Sequence, residues 1–418
     1  MSLSPYRIID LTEGGYNFAG KILADLGAEV IRIEPPGGSR TRERPPFWCK
    51  GKGRESLLWL AYNVNKYGIT LNLEREEGRD ILRELVKVSH ALIESSVPGF
   101  WERIHLGYEN LKGVNSRIIV TSITPFGQKG QHRFVKATDL TIWSVSGMHN
   151  LCGQEDRAPV RVSWVPQSEL IAAAQGAAGT VHALYHSTRT GEGQHVDVSA
   201  QVASAWTTMN AISFPLLHRM EPKREGQLRR YGFVTWRHIY KCKDGHVAFF
   251  VRGGPTFGRS VHAMIRWMKE EGGATEELES VNWEDLDMGA LVVMGEEKAR
   301  ERIRSVEAPV QQFFLTKTKK ELFKRALKDD ILLVPCYTAQ DILSDEQLHG
   351  RVFWWRPEIP DVPELSIMIP GPFAQMGGTP VRLQRGAPAI GQHNEDVYGR
   401  TIGLTKDQLD ALAGKGVI

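Results

Sequence analysis

The first 34 residues alternate strand and helix signals, and that alternation limits the fold more than any other feature of the chain. "YRIIDL" is a short apolar run of strand character. "NFAGKILADLGA" has helical spacing, with Phe18, Ile22, Leu23 and Leu26 on one side, and stops at Gly27. "EVIRIEPPGG" is a second strand, ended by prolines. A strand, helix and strand in this order form a βαβ unit, which implies a parallel sheet with right-handed crossovers. The pattern returns as "YGITLNLE", the helix "EEGRDILRELVKVSH" and "ALIESS", and "RIIVTSITPF" adds a further strand. A long Ala/Gly helix, a "TGEGQ" turn and "HVDVSAQ" follow. The expected class is α/β.

A chain of 418 residues exceeds one ordinary core, so two domains are expected, one of them discontinuous. The composition turns basic and irregular over 217–232, "HRMEPKREGQLRRYG", which reads as a linker after a first segment, 1–216. Residues 233–330 then read as a smaller α+β domain. In it "FVTWRHIYKC" and "HVAFFV" form a hairpin around Lys243-Asp244-Gly245. Residues 331–418 read as strand, helix and Pro/Gly-rich coil, closing with a short helix.

A net charge of +3 is too small to argue for nucleic acid or a membrane surface as partner, and neither is expected. The start "MSLSPYRIIDLTEGG" lacks the pattern of a secretory signal, and no apolar run is long enough for a bilayer. Cys49, Cys152, Cys242 and Cys336 are scattered without metal-ligand spacing, so free thiols in a reducing cytoplasm and no metal site are expected.

Several functional motifs can be tested directly. Glu34 closes the second strand where dinucleotide folds carry a ribose-binding acid, but Gly14, Gly15 and Gly20 lack the G-x-G-x-x-G spacing. Neither a P-loop nor a G-x-S-x-G elbow is present. Arg40, Arg42, Arg44, Lys50, Lys52 and Arg54, interleaved with Phe47 and Trp48, form either a solvated loop or a mouth for a phosphorylated ligand. Gly253 and Gly254 end a strand, as a turn or as a glycine lid whose N–H groups face an oxyanion. "VPQSELIAAAQGAAG" raises a sharper question. Ser168 as N-cap and Glu169 as a first-turn acid satisfy helix grammar. The same carboxylate, on a helix thin enough for another backbone to approach, is also placed for chemistry.

Read together, "LADLGAEVIRIEPPGG", "YNVNKYGITLNLEREEGR", "ERIHLGYENLK", "KATDL" and "ALYHSTRTGEGQHVDVS" resemble, in order and over essentially the whole chain, the family III CoA-transferases. The resemblance implies a Rossmann-like large domain built from both chain ends, with 331–418 as the return segment, a small central domain, and two ring-like subunits interlocked as a dimer. It also implies a mechanism. An Asp at the front of the Ala/Gly helix attacks an acyl-CoA thioester, giving a mixed anhydride and CoA thiolate. The thiolate re-attacks to form an enzyme thioester, which the acceptor carboxylate resolves. A carboxylate is ionised at neutral pH and needs no general base for this role. Backbone donors at Gly253 and Gly254 would hold the oxyanion, and Leu73, Ser95, Gly99, Arg103 and Lys136 fall at CoA-binding positions.

Glu169 stands where the family has its Asp. The extra methylene moves the carboxylate by about 1 Å, and a displacement of that size can cost about a hundredfold in rate. The family's "NFRPG" is here Ser95-Ser96-Val97-Pro98-Gly99. These departures, with "GGYNFAGKILADLGAEV", "RAPVRVSWVPQ" and "FFLTKTKKELF", resemble the Asp-lacking subunit of heteromeric benzylsuccinate CoA-transferase. Three readings follow. The chain is a subunit passing CoA from succinyl-CoA to an acid such as benzylsuccinate with the Asp on a homologous partner, a self-sufficient homodimer using Glu169, or a non-catalytic CoA-binding scaffold. The superfamily's racemases need a His where Thr138 stands. Trp143, Trp164 and Trp206 hint at an aryl pocket, with core packing the simpler reading.

Overall fold

The computed structural model describes residues 2–50, 53–161, 165–231, 234–286, 295–360 and 365–418. The chain divides into two compact units, one comprising Met1–His149, Arg161–Met220 and Glu346–Ile418, the other Asn150–Val160 and Glu221–Asp345.

The first unit is built on a six-stranded sheet of β1 (Arg7–Leu11), β2 (Glu29–Glu34), β3 (Tyr67–Thr70), β4 (Ala91–Glu94), β5 (Ile119–Thr124) and β6 (His195–Ser199). Every pairing is parallel and the spatial order is β3-β2-β1-β4-β5-β6. That is the doubly wound order, whose direction reverses between β1 and β4 and leaves a crevice beyond their C-terminal ends. The central strands are buried on both faces, which explains their near-continuous apolar runs.

Helix α1 (Asn17–Asp25) follows β1, and α2 (Glu76–Lys87) packs Ile81, Leu82, Leu85 and Val86 on the opposite side of the sheet from α1. Beyond β5 come α3 (Asp139–Val145) and the 24-residue α4 (Gln167–Thr190). The small residues of α4 serve its seat on the sheet and α1. Ala172, Ala173 and Ala177 share a core with Ala19, Leu23 and Ala24, and a Cβ at Gly176 would stand 2.4 Å from the Ile123 side chain. The C-terminal segment closes over β3, where Tyr398 Oη donates to the Thr70 carbonyl (2.6 Å) and Asn72 N–H to the Val417 carbonyl (2.7 Å).

In the second unit β7 (Ile239–Cys242), β8 (Gly245–Phe249) and β9 (Leu333–Cys336) form an antiparallel sheet. Helices α5 (Pro255–Glu270), α6 (Glu296–Leu315) and α7 (Lys319–Asp329) share with it a core including Tyr240, Phe249, Trp267, Trp283 and Phe314. The Asp-Gly hairpin forms as expected between β7 and β8. Three boundaries differ from the sequence reading. Leu333–Cys336, assigned above to the return segment, belongs to this unit because its backbone completes the sheet beside β8. The linker ends in a strand, Leu228–Tyr231, paired with Val234–Arg237. "FVTWRHIYKC" is two strands, interrupted where His238 N–H turns to the Gln227 carbonyl.

Beneath the crevice of the first unit lies an array of buried charges. Asp10, at the end of β1, accepts from Lys66 Nζ (2.8 Å) and from Thr12 N–H and Oγ1 (2.9 and 2.6 Å), with Arg32 Nη1 3.6 Å away. Lys66 Nζ completes its donors on the Asn17 carbonyl (2.7 Å) and Asn63 Oδ1 (2.9 Å). Burial pushes the Asp10 carboxyl up, but Lys66 and Arg32 outweigh it and hold the group below the ordinary carboxylate range. Breaking such a pair from one side strands the other charge. Asp10→Asn is therefore expected to lower unfolding stability by about 3–5 kcal/mol in urea denaturation at pH 7. As Asp10 titrates below its unfolded value of about 4, the wild-type advantage is intact at neutral pH and fades only as pH falls below that value. A loss under about 1 kcal/mol would contradict the assignment.

Candidate active site

Three residues after β1 ends, the chain turns through Gly14–Tyr16 before entering α1. The turn is tied to the buried charges. Arg32 donates to the Thr12 carbonyl and, through Nη2, to Glu13 Oε1 (2.9 Å). Glu13 Oε2 accepts from Ser39 Oγ (2.6 Å) and Thr41 Oγ1 (2.7 Å), and Gly14 N–H donates to Thr41 Oγ1 (2.8 Å). Arg32 and these hydroxyls outweigh burial and keep Glu13 ionised. Across the crevice, Glu13 N–H donates to Ser95 Oγ (2.8 Å) just beyond β4.

Glu169 meets this turn. Gly15 N–H donates to its Oε2 at 2.6 Å, and Arg44 Nη1 donates to the same oxygen at 2.9 Å. Among the described residues Oε1 receives no hydrogen bond. The approach requires glycine, since a Cβ at residue 15 would lie 2.8 Å from both Cβ and Oε2 of Glu169. At Gly14, with φ of +65°, a Cβ would collide with the Arg44 guanidinium. The side chain of Glu169 is only 14% exposed. Tyr16 and Tyr62 are its aromatic neighbours. Burial raises both phenols above the ordinary tyrosine range, and the Glu169 charge adds to the effect, so they stay protonated donors.

The sequence reading of the helix start needs one correction. Ser168 is not the N-cap, a position Pro166 occupies without a side-chain hydrogen bond. Instead Asp139, at the start of α3, reaches across and accepts from Ser168 N–H (2.8 Å) and Oγ (2.7 Å) through Oδ1. Its Oδ2 is buried without a partner. The helix end is thus capped from outside, and Glu169 is free to face the Gly14–Gly15 turn. Another backbone does approach this helix, that of Gly15.

The CoA-binding candidates fall in three places. Leu73 lines a cleft of about 570 Å³ beyond the C-terminal ends of β1, β2 and β3, together with Leu11, Glu13, Phe100 and Ile104. Ser95 contacts that cleft through Glu13, and exposed Arg103 lies over the Phe100 ring at its rim, 5.7 Å from the centroid. Gly99, with φ of +82°, instead borders a separate, narrow cavity of about 20 Å³ with Glu94, Ser122 and His195. Lys136 is exposed and makes no hydrogen bond or ion pair among the described residues.

Gly253 and Gly254 belong to the second unit. Gly253 is buried, and Gly254 N–H donates to the Trp283 carbonyl at 3.0 Å. In this conformation that donor is therefore committed to a fold contact and does not offer itself to an oxyanion.

The basic loop is not one patch. Arg42 forks onto Glu34 (2.7 and 2.8 Å) and lies 3.8 Å over the Trp59 ring, while Arg54 stacks on Phe47 at 3.5 Å. Glu34 also accepts from Ser39 N–H, so the acid that would hold a ribose in a dinucleotide enzyme is already occupied. Arg40 is exposed; Lys52 and Trp164 lie outside the described residues, as does the side chain of Lys50. Trp143 is buried and Trp206 is 67% exposed, so they do not form the aryl pocket considered above. Thr138 caps α3 through a reciprocal pair with Thr141. Sequence reasoning missed Arg44 as a partner of Glu169, and also Asp139, Tyr16 and Tyr62. The Gly14-Gly15 pair directly after β1 was the available signal, because adjacent glycines there announce a close approach. Among the described residues no cluster of three or more His, Cys, Asp or Glu is placed to hold a metal, and no helix is long and apolar enough to cross a membrane.

A doubly wound sheet with a carboxylate-headed helix over its switch point defines the class of architecture. The family follows from comparison: residues 3–394 match the model of CoA-transferase family III, and the chain belongs to that family. It is a CoA-transferase. It is 31% identical to the succinyl-CoA:(R)-benzylsuccinate CoA-transferase subunit BbsE of Thauera aromatica, over 99% of this chain and 98% of that one. It is 26% identical to the succinyl-CoA–L-malate CoA-transferase beta subunit of Chloroflexus aurantiacus, over 100% and 98%. A CAIB/BAIF family protein from Brucella suis has the same fold, with a TM-score of 0.78 and 22% identity over 96% of this chain and 99% of that one.

The narrow cavity beside Gly99 supplies a test of the local electrostatics. Burial raises the Glu94 carboxyl above its ordinary value, against the opposing pull of Ser122 and of Ser96 N–H, which donates to Oε2 at 2.5 Å. The folded state then binds a proton more tightly than the unfolded chain, so Glu94 stabilises the fold at acid pH and loses that contribution as pH rises through its folded value. Glu94→Gln is expected to raise the thermal midpoint over wild type at pH 7, with the gap closing toward pH 4. A gap independent of pH would overturn this account.

Proposed function

We propose that the chain is a subunit of a CoA-transferase that moves CoA from succinyl-CoA to a carboxylic acid such as benzylsuccinate, with the nucleophilic Asp supplied by a homologous partner subunit. The observation that carries this reading is the carboxylate of Glu169. It heads α4 at the family's nucleophile position, but it is one methylene longer and already neutralised through Oε2 by Arg44 and Gly15. Two subunit-forming relatives, the benzylsuccinate and malate transferases named above, match the chain end to end. An apolar run on the first unit, including Val202, Trp206, Met209, Ile212, Leu216 and Leu217, is exposed and suits a partner's surface. In this reading CoA lays its adenosine end in the cleft at Leu73, Phe100 and Ile104.

One observation favours the second reading, a self-sufficient enzyme. Among the described residues Oε1 of Glu169 is unpaired while Oε2 is fixed, which leaves one lone-pair-bearing oxygen available for attack on a thioester carbonyl. That attack forms a C–O bond to the acyl carbon and expels CoA thiolate. The thiolate then attacks the Glu169 carbonyl of the anhydride, releasing the donor acid and leaving a glutamyl-CoA thioester. The acceptor carboxylate displaces CoA from it as a second anhydride, which the returning thiolate cleaves to acyl-CoA.

The purified chain alone is expected to transfer CoA at least about a hundredfold more slowly than when it is mixed with its homologous subunit. Hydroxylamine or borohydride treatment after incubation with succinyl-CoA, followed by mass mapping, is expected to leave Glu169 unmodified. Full turnover by the lone chain with an adduct on Glu169, abolished in Glu169→Gln, would replace the first reading by the second.

A further inference from the structure

Arg44 has a free edge beside the carboxylate at the centre of the site. Its backbone is held from both sides, the N–H donating to the Thr41 carbonyl (3.2 Å) and the carbonyl accepting from Ser56 Oγ (2.6 Å). Its guanidinium lies over Gly14, where a Cβ would come within 2.3 Å of Nη1 and 2.8 Å of Cζ. Only Nη1 is engaged, by Glu169 Oε2. Nε and Nη2 make no hydrogen bond or ion pair among the described residues, and the side chain is 44% exposed. The other arginines of the same loop differ. Arg42 has both edges on Glu34 and the Pro388 carbonyl, and Arg54 lies flat on Phe47.

A guanidinium presents its donors as a fork, and two parallel N–H groups match the two oxygens of a carboxylate. With Nη1 spent on Glu169, the remaining fork at Nε and Nη2 is open to a second carboxylate. One positive charge between two negative ones also offsets the repulsion that an anionic substrate meets next to Glu169.

We propose that Arg44 is the specificity residue for the acid, its free Nε–Nη2 edge gripping the non-reacting carboxylate of a short dicarboxylic acid while the other carboxylate faces Glu169. This rests on the second reading above, in which acid substrates react at Glu169, and it names the side chain that selects dicarboxylic over monocarboxylic acids there. A monocarboxylic acid of equal length reaches the reaction centre but leaves the edge empty, so the site discriminates between the two by that single interaction. The same edge serves the free acid and the carboxylate of its CoA thioester.

The test is calorimetric titration of the full protein, with its partner subunit if one co-purifies, with succinate and with butyrate. Wild type is expected to prefer succinate. Arg44→Gln is expected to weaken succinate binding at least about tenfold more than butyrate binding, because both acids lose the cation beside Glu169 but only succinate loses the charge-assisted fork. Arg44→Lys is expected to fall between them, having charge but no fork. Glu169→Gln is expected to keep or strengthen succinate binding, because it removes a neighbouring negative charge. In kinetics the KM for succinyl-CoA rises in Arg44→Gln by more than that for butyryl-CoA. Equal losses for both acids, or unchanged succinate binding in Arg44→Gln, would assign Arg44 only to holding Glu169 and overturn the inference. Arg44-dependent succinate binding by a protein that transfers no CoA would leave this inference standing and remove the CoA-transferase reading of the site. CoA transfer with no acid preference linked to Arg44 would do the reverse.

Discussion

The salt bridge between Arg32 and Glu13 sets the rest of the site. Glu13 stands where the chain leaves β1, at the point of the sheet where the strand order reverses. Arg32 comes from the neighbouring strand and is fully buried. A buried guanidinium needs acceptors for its N–H groups; Nη1 and Nη2 find them in the Asp10 and Thr12 carbonyls and the Glu13 carboxylate, while Nε has none among the described residues. Glu13 in turn gathers Ser39 and Thr41, and Thr41 holds the amide of Gly14. By that chain of contacts a strand-end residue determines where Gly15 points its N–H, and so where the carboxylate of Glu169 comes to rest.

The same geometry explains why this doubly wound sheet is not a dinucleotide enzyme. The glycine-rich turn after β1, which in such enzymes exposes amides to a pyrophosphate, here gives its amides to Thr41 and Glu169. The acid at the end of β2 is bound by Arg42 and Ser39. Both features that would hold a dinucleotide are filled by the protein's own side chains, and the cleft beside Leu73 and Phe100 remains open.

Much of the first unit was legible because its strands and helices carry their own periodicity. The βαβ repeats from Arg7 to Glu94 follow apolar runs that no other arrangement buries. The α4 helix was legible as thin, and Glu169 as an acid in its first turn. Long-range partners were not legible. Nothing near Arg44 in the chain marks it as a contact of a residue 125 positions later. Asp139 caps a helix that begins 28 residues further on, a role Ser168 seemed placed to fill locally. The domain boundary was misjudged at Leu333–Cys336 for the same reason: a strand followed by coil looks alike whichever sheet it joins, and only pairing with β8 decides.

What marks this site is the carboxylate at the head of α4, held by a guanidinium and a backbone amide. The most direct measurement is a crystal structure of the protein with CoA bound. The account predicts adenine in the cleft bordered by Leu73, Phe100 and Ile104, and the pantetheine thiol directed at Glu169, with Arg44 and Gly15 still on Oε2. CoA bound away from that cleft, or Glu169 swung into solvent with its thiol-facing side closed, would contradict it.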